Sequence, residues 1–284
     1  MINFFLFIQD FYMPSKIFLG AFFLLVLFFL VYYVFKLVEM VYVIYFRKPM
    51  YVHFYVAKKK LSSQDKQLLS EHFNFYRNLS PKQQLYFDHR VVSFIKDKDF
   101  IGRDHLDVTC EMKLLISAHA VILTFGFRDF FIGLIDKIFI YPDAFYSATY
   151  HAYHAGEINP MMRVLVISWS DFKHSLDVND LNTNLGIYEF SQAIHLNCMK
   201  ERDVSSTIFS DTFKELASML THNESLRQKL IQSHFFRGHA STTQFEFLAV
   251  ILETFIKKPS EFRLEFPNVY AKTKQMLNFD YAGY

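Results

Sequence analysis

The chain has 284 residues, 52% of them hydrophobic and 20% charged, with 30 Lys plus Arg against 28 Asp plus Glu for a net charge of +2. That hydrophobic content excludes a long disordered protein, and the near balance of charge excludes a nucleic-acid binder, whose phosphate contacts need a strong basic excess. The two cysteines, Cys110 and Cys198, stand far apart, so neither a disulfide scaffold nor a thiolate zinc site can be built from them, and a reducing compartment is expected.

In chain order the first element is an uncharged run from Ile17 to Phe35, bounded by Lys16 and Lys36. As a helix it covers about 30 Å, the thickness of a bilayer's hydrocarbon core. The apolar pattern extends to about Phe46, with Tyr32, Tyr33, Tyr42 and Tyr45 suited to a membrane interface. The start of the chain is apolar rather than basic and no small-residue cleavage pattern follows, so an uncleaved anchor is expected. Residues 1–49 are thus read as the anchor and 50–284 as one folded domain. Lys36, Arg47, Lys48, Lys58, Lys59 and Lys60 follow the span, whereas Lys16 stands alone before it. This asymmetry predicts a single-pass protein of the inner (cytoplasmic) membrane with its domain in the cytoplasm.

Beyond the anchor, Lys60 to Arg77 carries Leu61, Leu68, Leu69 and Phe73 at helical spacing. Ser80 offers a cap, with Pro81 at the first helical position, for a helix through Ile95. Thr109 caps a third, apolar helix that Gly126 stops. Lys137 to Tyr141 and Arg163 to Trp169 are short β-branched runs and read as strands. The aromatic stretch between them, Tyr146 to Glu157, is open to reading as a hairpin, an edge strand or an irregular loop. Asn184 then caps a helix to about Met199. Further helices are expected near Thr207 to Leu220, Asn223 to Gln232, Thr243 to Lys257 and Asn268 to Leu277, with Pro259 and Pro267 between elements. The fold class is α+β and helix-rich, with a small sheet.

Twelve histidines invite a metal hypothesis, but spacing removes most of them. His151 and His154 lie in a loop-like stretch, His119 has no second ligand one turn on, and His72, His89, His105 and His222 are isolated. Nucleophile-elbow, Walker and dinucleotide-type glycine patterns do not occur.

One window does carry chemistry: Asn184-Leu-Gly-Ile-Tyr188-Glu189-Phe-Ser-Gln192-Ala-Ile-His195. In a His-Glu-x-x-His helix, two imidazoles four residues apart hold zinc while the glutamate activates the bound water. Here Tyr188 and Gln192 replace the histidines and Glu189 keeps the general-base position. A phenol with a pKa of roughly 10 and a neutral amide are poor substitutes for imidazole. His195, one turn beyond Gln192, is a possible rescue ligand. His239, in a polar turn, is a weaker version of the same idea.

From about Lys60 to Asn278 the chain resembles the Mlc titration factor A family of zinc-dependent peptidases, which is similar to zincins of the anthrax lethal factor type. The resemblance is carried by Tyr141-Pro142-Asp-Ala-Phe145, His154-Ala-Gly156-Glu157-Ile-Asn159-Pro160, Val166-Ile-Ser-Trp169-Ser-Asp171-Phe172, the window above, and Gln244-Phe-Glu246-Phe-Leu-Ala-Val-Ile-Leu-Glu253-Thr-Phe255 with Pro259 and Phe266-Pro267. It implies a zincin-like domain and a third zinc ligand on a late-helix glutamate, at Glu253. The expected function is a membrane-anchored pseudopeptidase that binds a protein or peptide and needs no cofactor. An active zinc peptidase using Glu253 and His195 is the alternative, and a structural or assembly component at the membrane is the third. Partners are the membrane, through the N-terminal helix, and a protein or peptide, with no nucleic acid.

Overall fold

A computed structural model describes residues 13–176, 184–233, 235–236 and 244–284. The chain divides into two compact units, with the boundary between Met50 and Tyr51. In the first, α1 (Met13–Phe46) continues through the whole apolar run and leaves most of its large apolar side chains exposed. From Ser15 to Phe46 it is long and apolar enough to cross a membrane.

The second unit is the mixed, helix-rich fold that the sequence indicates. Its first helix is shorter than the Lys60 to Arg77 run. α2 (Ser63–His72) is closed at its start by reciprocal bonds between Ser62 and Asp65, and Phe73 then turns extended before α3 (Asn74–Asn78). The break has a packing cause. On one uninterrupted helix Phe75 would point about 200° away from Phe73, whereas the broken chain buries Phe73, Phe75 and Tyr76 together.

Ser80 caps α4 (Pro81–Asp97) with Pro81 at its first position, as the sequence predicts, and Gln83 completes a second capping box. α5 (Cys110–Leu123), capped by Thr109, is buried almost all round. It is therefore the central core helix rather than an amphipathic surface one, and α4 and α7 pack against it.

The sheet has four strands. β1 (Asp99–Gly102) pairs in parallel with β2 (Lys137–Tyr141), which pairs in parallel with β6 (Val164–Ser168). β5 (Gly156–Asn159) runs antiparallel on β6, so the order is β1-β2-β6-β5. The stretch left open between hairpin and loop forms the antiparallel pair β3 (Phe145–Ser147) and β4 (Ala152–His154) and then enters β5. β1 went unpredicted because four residues are too few to show alternation.

α6 (Trp169–His174), α7 (Leu185–Lys200), α8 (Val204–His222), α9 (Glu224–Gln232), α10 (Gln244–Lys257), α11 (Pro259–Glu265) and α12 (Pro267–Met276) complete the unit. α8 begins three residues before the expected start because Asp203 accepts from the Ser205 and Ser206 backbone N–H groups. Pro259 and Pro267, expected only to separate elements, each start a helix. There a missing N–H costs nothing. The expected start of the late helix at Thr243, and His239, lie outside the described residues.

Candidate functional site

α7 is built around its own N-cap. The Asn184 side chain accepts from the Ile187 N–H at 2.8 Å and donates to the Ser175 carbonyl at 3.2 Å. The Asn184 backbone N–H donates to Glu253 Oε1 at 2.8 Å. Two residues on, Gly186 lets the helix press against α5. A Cβ there would stand 2.6 Å from the His119 ring and 2.8 Å from the Phe172 ring. These contacts fix the rotation of α7, and with it the direction in which Tyr188, Glu189, Gln192 and His195 project.

Tyr188 and Gln192 are half-buried and one turn apart. The phenol is pushed above its usual pKa, first by burial and then by the charges of Glu189 and Glu246, with Gln192 opposing. Glu189 is buried beneath them. Burial, with the charge of Glu157 added, raises its carboxyl to about 8, so it is mostly protonated at neutral pH. The β5 backbone lies directly on this carboxyl. A Cβ at Gly156 would come within 2.6 Å of the carboxyl carbon of Glu189, so only glycine permits the approach.

The other two sequence candidates stand elsewhere. His195 is buried edge-to-face against Phe213 at 4.7 Å and Phe245 at 4.8 Å, with Phe209 beyond. Its pKa is lowered by burial, and its Nδ1 has no hydrogen-bond partner among the described residues. Glu253 is buried at the N-terminus of α7, held between the Asn184 N–H and Lys257 Nζ at 3.0 Å. The structure therefore joins Tyr188, Glu189 and Gln192, and sets His195 and Glu253 at different levels of α7.

Three residues of the site were not singled out from the sequence: Glu246, Glu157 and Tyr150, whose charges or potential charges act on Tyr188 or Glu189. α7 and α10 run antiparallel, since Phe245 meets His195 while Glu253 meets Asn184. In that direction Glu246, not Glu253, is the α10 acid whose charge is felt by Tyr188. Glu246 and Glu253 are two turns apart on one face of α10, so helical spacing alone gives them equal claim.

These residues do not fit a zinc ion. A phenol raised above its usual pKa resists becoming phenolate, the Gln192 amide is neutral, and Glu253 already neutralises Lys257. Among the described residues no three His, Cys, Asp or Glu side chains gather as a metal-holding group.

The uncharacterized protein slr2042 of Synechocystis sp. is 24% identical over 225 residues, covering 72% of this chain and 79% of its own. The family model of the glucose-regulated metallopeptidases M90 matches residues 47–278, which takes in β5, α7 and α10 and leaves out the apolar helix. With that match spanning nearly all of the second unit, the chain belongs to the M90 metallopeptidase family.

Proposed function

We propose that this M90 protein is a membrane-anchored, non-catalytic member that keeps the family's scaffold for binding a protein or peptide. One observation carries the reading: the two positions that would present imidazoles hold Tyr188 and Gln192, half-buried one turn apart on α7. β5, the edge strand beside α7, supports a binding role, since an extended segment can add to a sheet edge. The basic residues after α1 support placing the domain on the cytoplasmic face.

The test is metal and activity together on the purified full chain in detergent. Well under one zinc per chain and no peptide cleavage are expected. Stoichiometric zinc, removed by chelator along with cleavage, overturns the reading and makes the residues around α7 an active centre.

The scaffold can be tested by restoration. Tyr188→His with Gln192→His places two imidazoles one turn apart, and the double variant is expected to gain zinc affinity that neither single change gives. We assign the third position to Glu246. In the double-variant background Glu246→Gln should remove the gain, whereas Glu253→Gln should retain it. The reverse pattern would return the ligand position to Glu253.

A further inference from the structure

We propose that the segment Tyr51 to Lys60 is a second membrane contact, laid into the interfacial layer of the same phospholipid bilayer that α1 enters; this rests on reading α1 as a membrane span. The segment alternates. His53 and Tyr55 face the domain: His53 stacks on Tyr86 at 4.7 Å and lies 4.6 Å from Phe125, and the Tyr55 ring lies 4.1 Å from His89. Phe54 and Val56 point the other way and are 76% and 96% exposed.

These outward side chains are held in place by a buried arginine. Arg90, on α4, is fully buried and donates to Tyr55 Oη at 2.5 Å, the Phe127 and Thr124 carbonyls at 2.7 Å, the Phe125 carbonyl at 3.1 Å and the Val52 carbonyl at 3.3 Å. Lys59 adds bonds from its N–H to His89 and from Nζ to Ser93, each at 3.0 Å. A linker that served only as a tether would not need such fixing. Two further exposed aromatics lie next to this cluster. Tyr51 carries Arg128 over its ring, and Phe131 follows Phe130, whose ring lies against the Arg90 guanidinium.

The occupant follows from chain length and charge. Phe54 is eight residues past the end of α1, so fully extended chain keeps it within about 28 Å of that end. Phe54 and Val56 are flanked by Arg47 and Lys48 on one side and Lys58, Lys59 and Lys60 on the other. Apolar side chains bracketed by cations suit the boundary between acyl chains and anionic headgroups, where each nearby Lys or Arg adds attraction.

Spin labels on the full chain in vesicles of phosphatidylcholine and phosphatidylglycerol test this. The exposed Cys110 is removed as Cys110→Ser, and single labels are placed by Phe54→Cys, Phe28→Cys within α1, and Leu264→Cys, a side chain 82% exposed on α11. The Phe54 label should be reached by oxygen more readily than by a water-soluble nickel chelate, as the Phe28 label is, with the Leu264 label showing the opposite preference. A Phe54 label that behaves like Leu264 while Phe28 reads lipid overturns the contact and leaves the anchor standing. One shielded from both reagents shows a protein cover, a second copy or another partner, and also overturns it. A Phe28 label that reads water removes the anchor and the contact together.

Discussion

At the scale of single residues, Glu189 and His119 give the folded protein opposite responses to pH. Glu189 sits at about 8 against an ordinary 4.5, so between those values the native state keeps a proton that the unfolded chain has released. Stability therefore falls as pH rises through that window, by at most about 1.4 kcal/mol per unit. His119 is buried on α5 and lowered to about 4, and His53 to about 3, both chiefly by burial. Their unfolded forms take up protons below 6.5, so stability falls as pH drops from 6.5 towards 4. The two slopes oppose each other between 4.5 and 6.5, and from 6.5 to 8 Glu189 acts against no histidine. Glu189→Gln should abolish the decline from pH 6.5 to 8, read by denaturant unfolding at stepped pH; a decline unchanged in the variant would show that Glu189 is not buried as a neutral acid. Gly156→Ala, which crowds the same carboxyl, should cost about 1–3 kcal/mol. Most of that should be recovered when Glu189→Ala is added, a coupling that a double-mutant cycle measures.

At the scale of elements, α7 owes its placement to a cap shared by two helices. Asn184 closes the helix with its side chain while its N–H is closed by Glu253 from α10, so the late glutamate acts as a structural tie between them. Asn184→Ala should cost about 1 kcal/mol. Glu253→Ala should cost about 1–3 kcal/mol by stranding the buried N–H, and Glu253→Gln, which keeps an acceptor, should recover most of it. Thermal unfolding of the three variants checks the order; equal losses for Ala and Gln would mean that the ion pair with Lys257, not the cap bond, is what Glu253 contributes. The local part of this design was legible: Asn184 as a cap and Tyr188, Glu189 and Gln192 on one helix follow from spacing within a dozen residues. Glu246 was not legible as the facing acid, because only the antiparallel pairing of α7 and α10 separates it from Glu253.

At the scale of the whole chain, Arg90 holds the start of the folded unit to its core. Arg90→Met leaves the carbonyls of Phe125 and Phe127 without this donor, the Thr124 carbonyl still accepting from the Phe127 N–H, and should cost at least about 3 kcal/mol, with amide hydrogen exchange rising first along residues 51–60. Uniform exchange across the domain instead would mean that Arg90 stabilises the core without fixing the segment. Reporter fusions at the carboxyl end should read cytoplasmic, from the Lys and Arg excess after α1, and Cys110 should stay reduced there. A reading from the opposite side would reverse the orientation.

The apolar helix, the cap at Ser80 with Pro81 behind it, the cap at Asn184, the central strands β2 and β6 and the Tyr188-Glu189-Gln192 window were all determined by the sequence alone. Each depends on residues close together in the chain, where periodicity and cap chemistry act directly. What the tertiary structure decided depends on distant segments meeting. The break at Phe73 answers to three aromatic rings that share one core. The burial of the Glu189 carboxyl comes from β5 closing over it, and His195 is enclosed by phenylalanines from two other helices. Burial and helix direction set these outcomes, and neither is written in the spacing of any one segment.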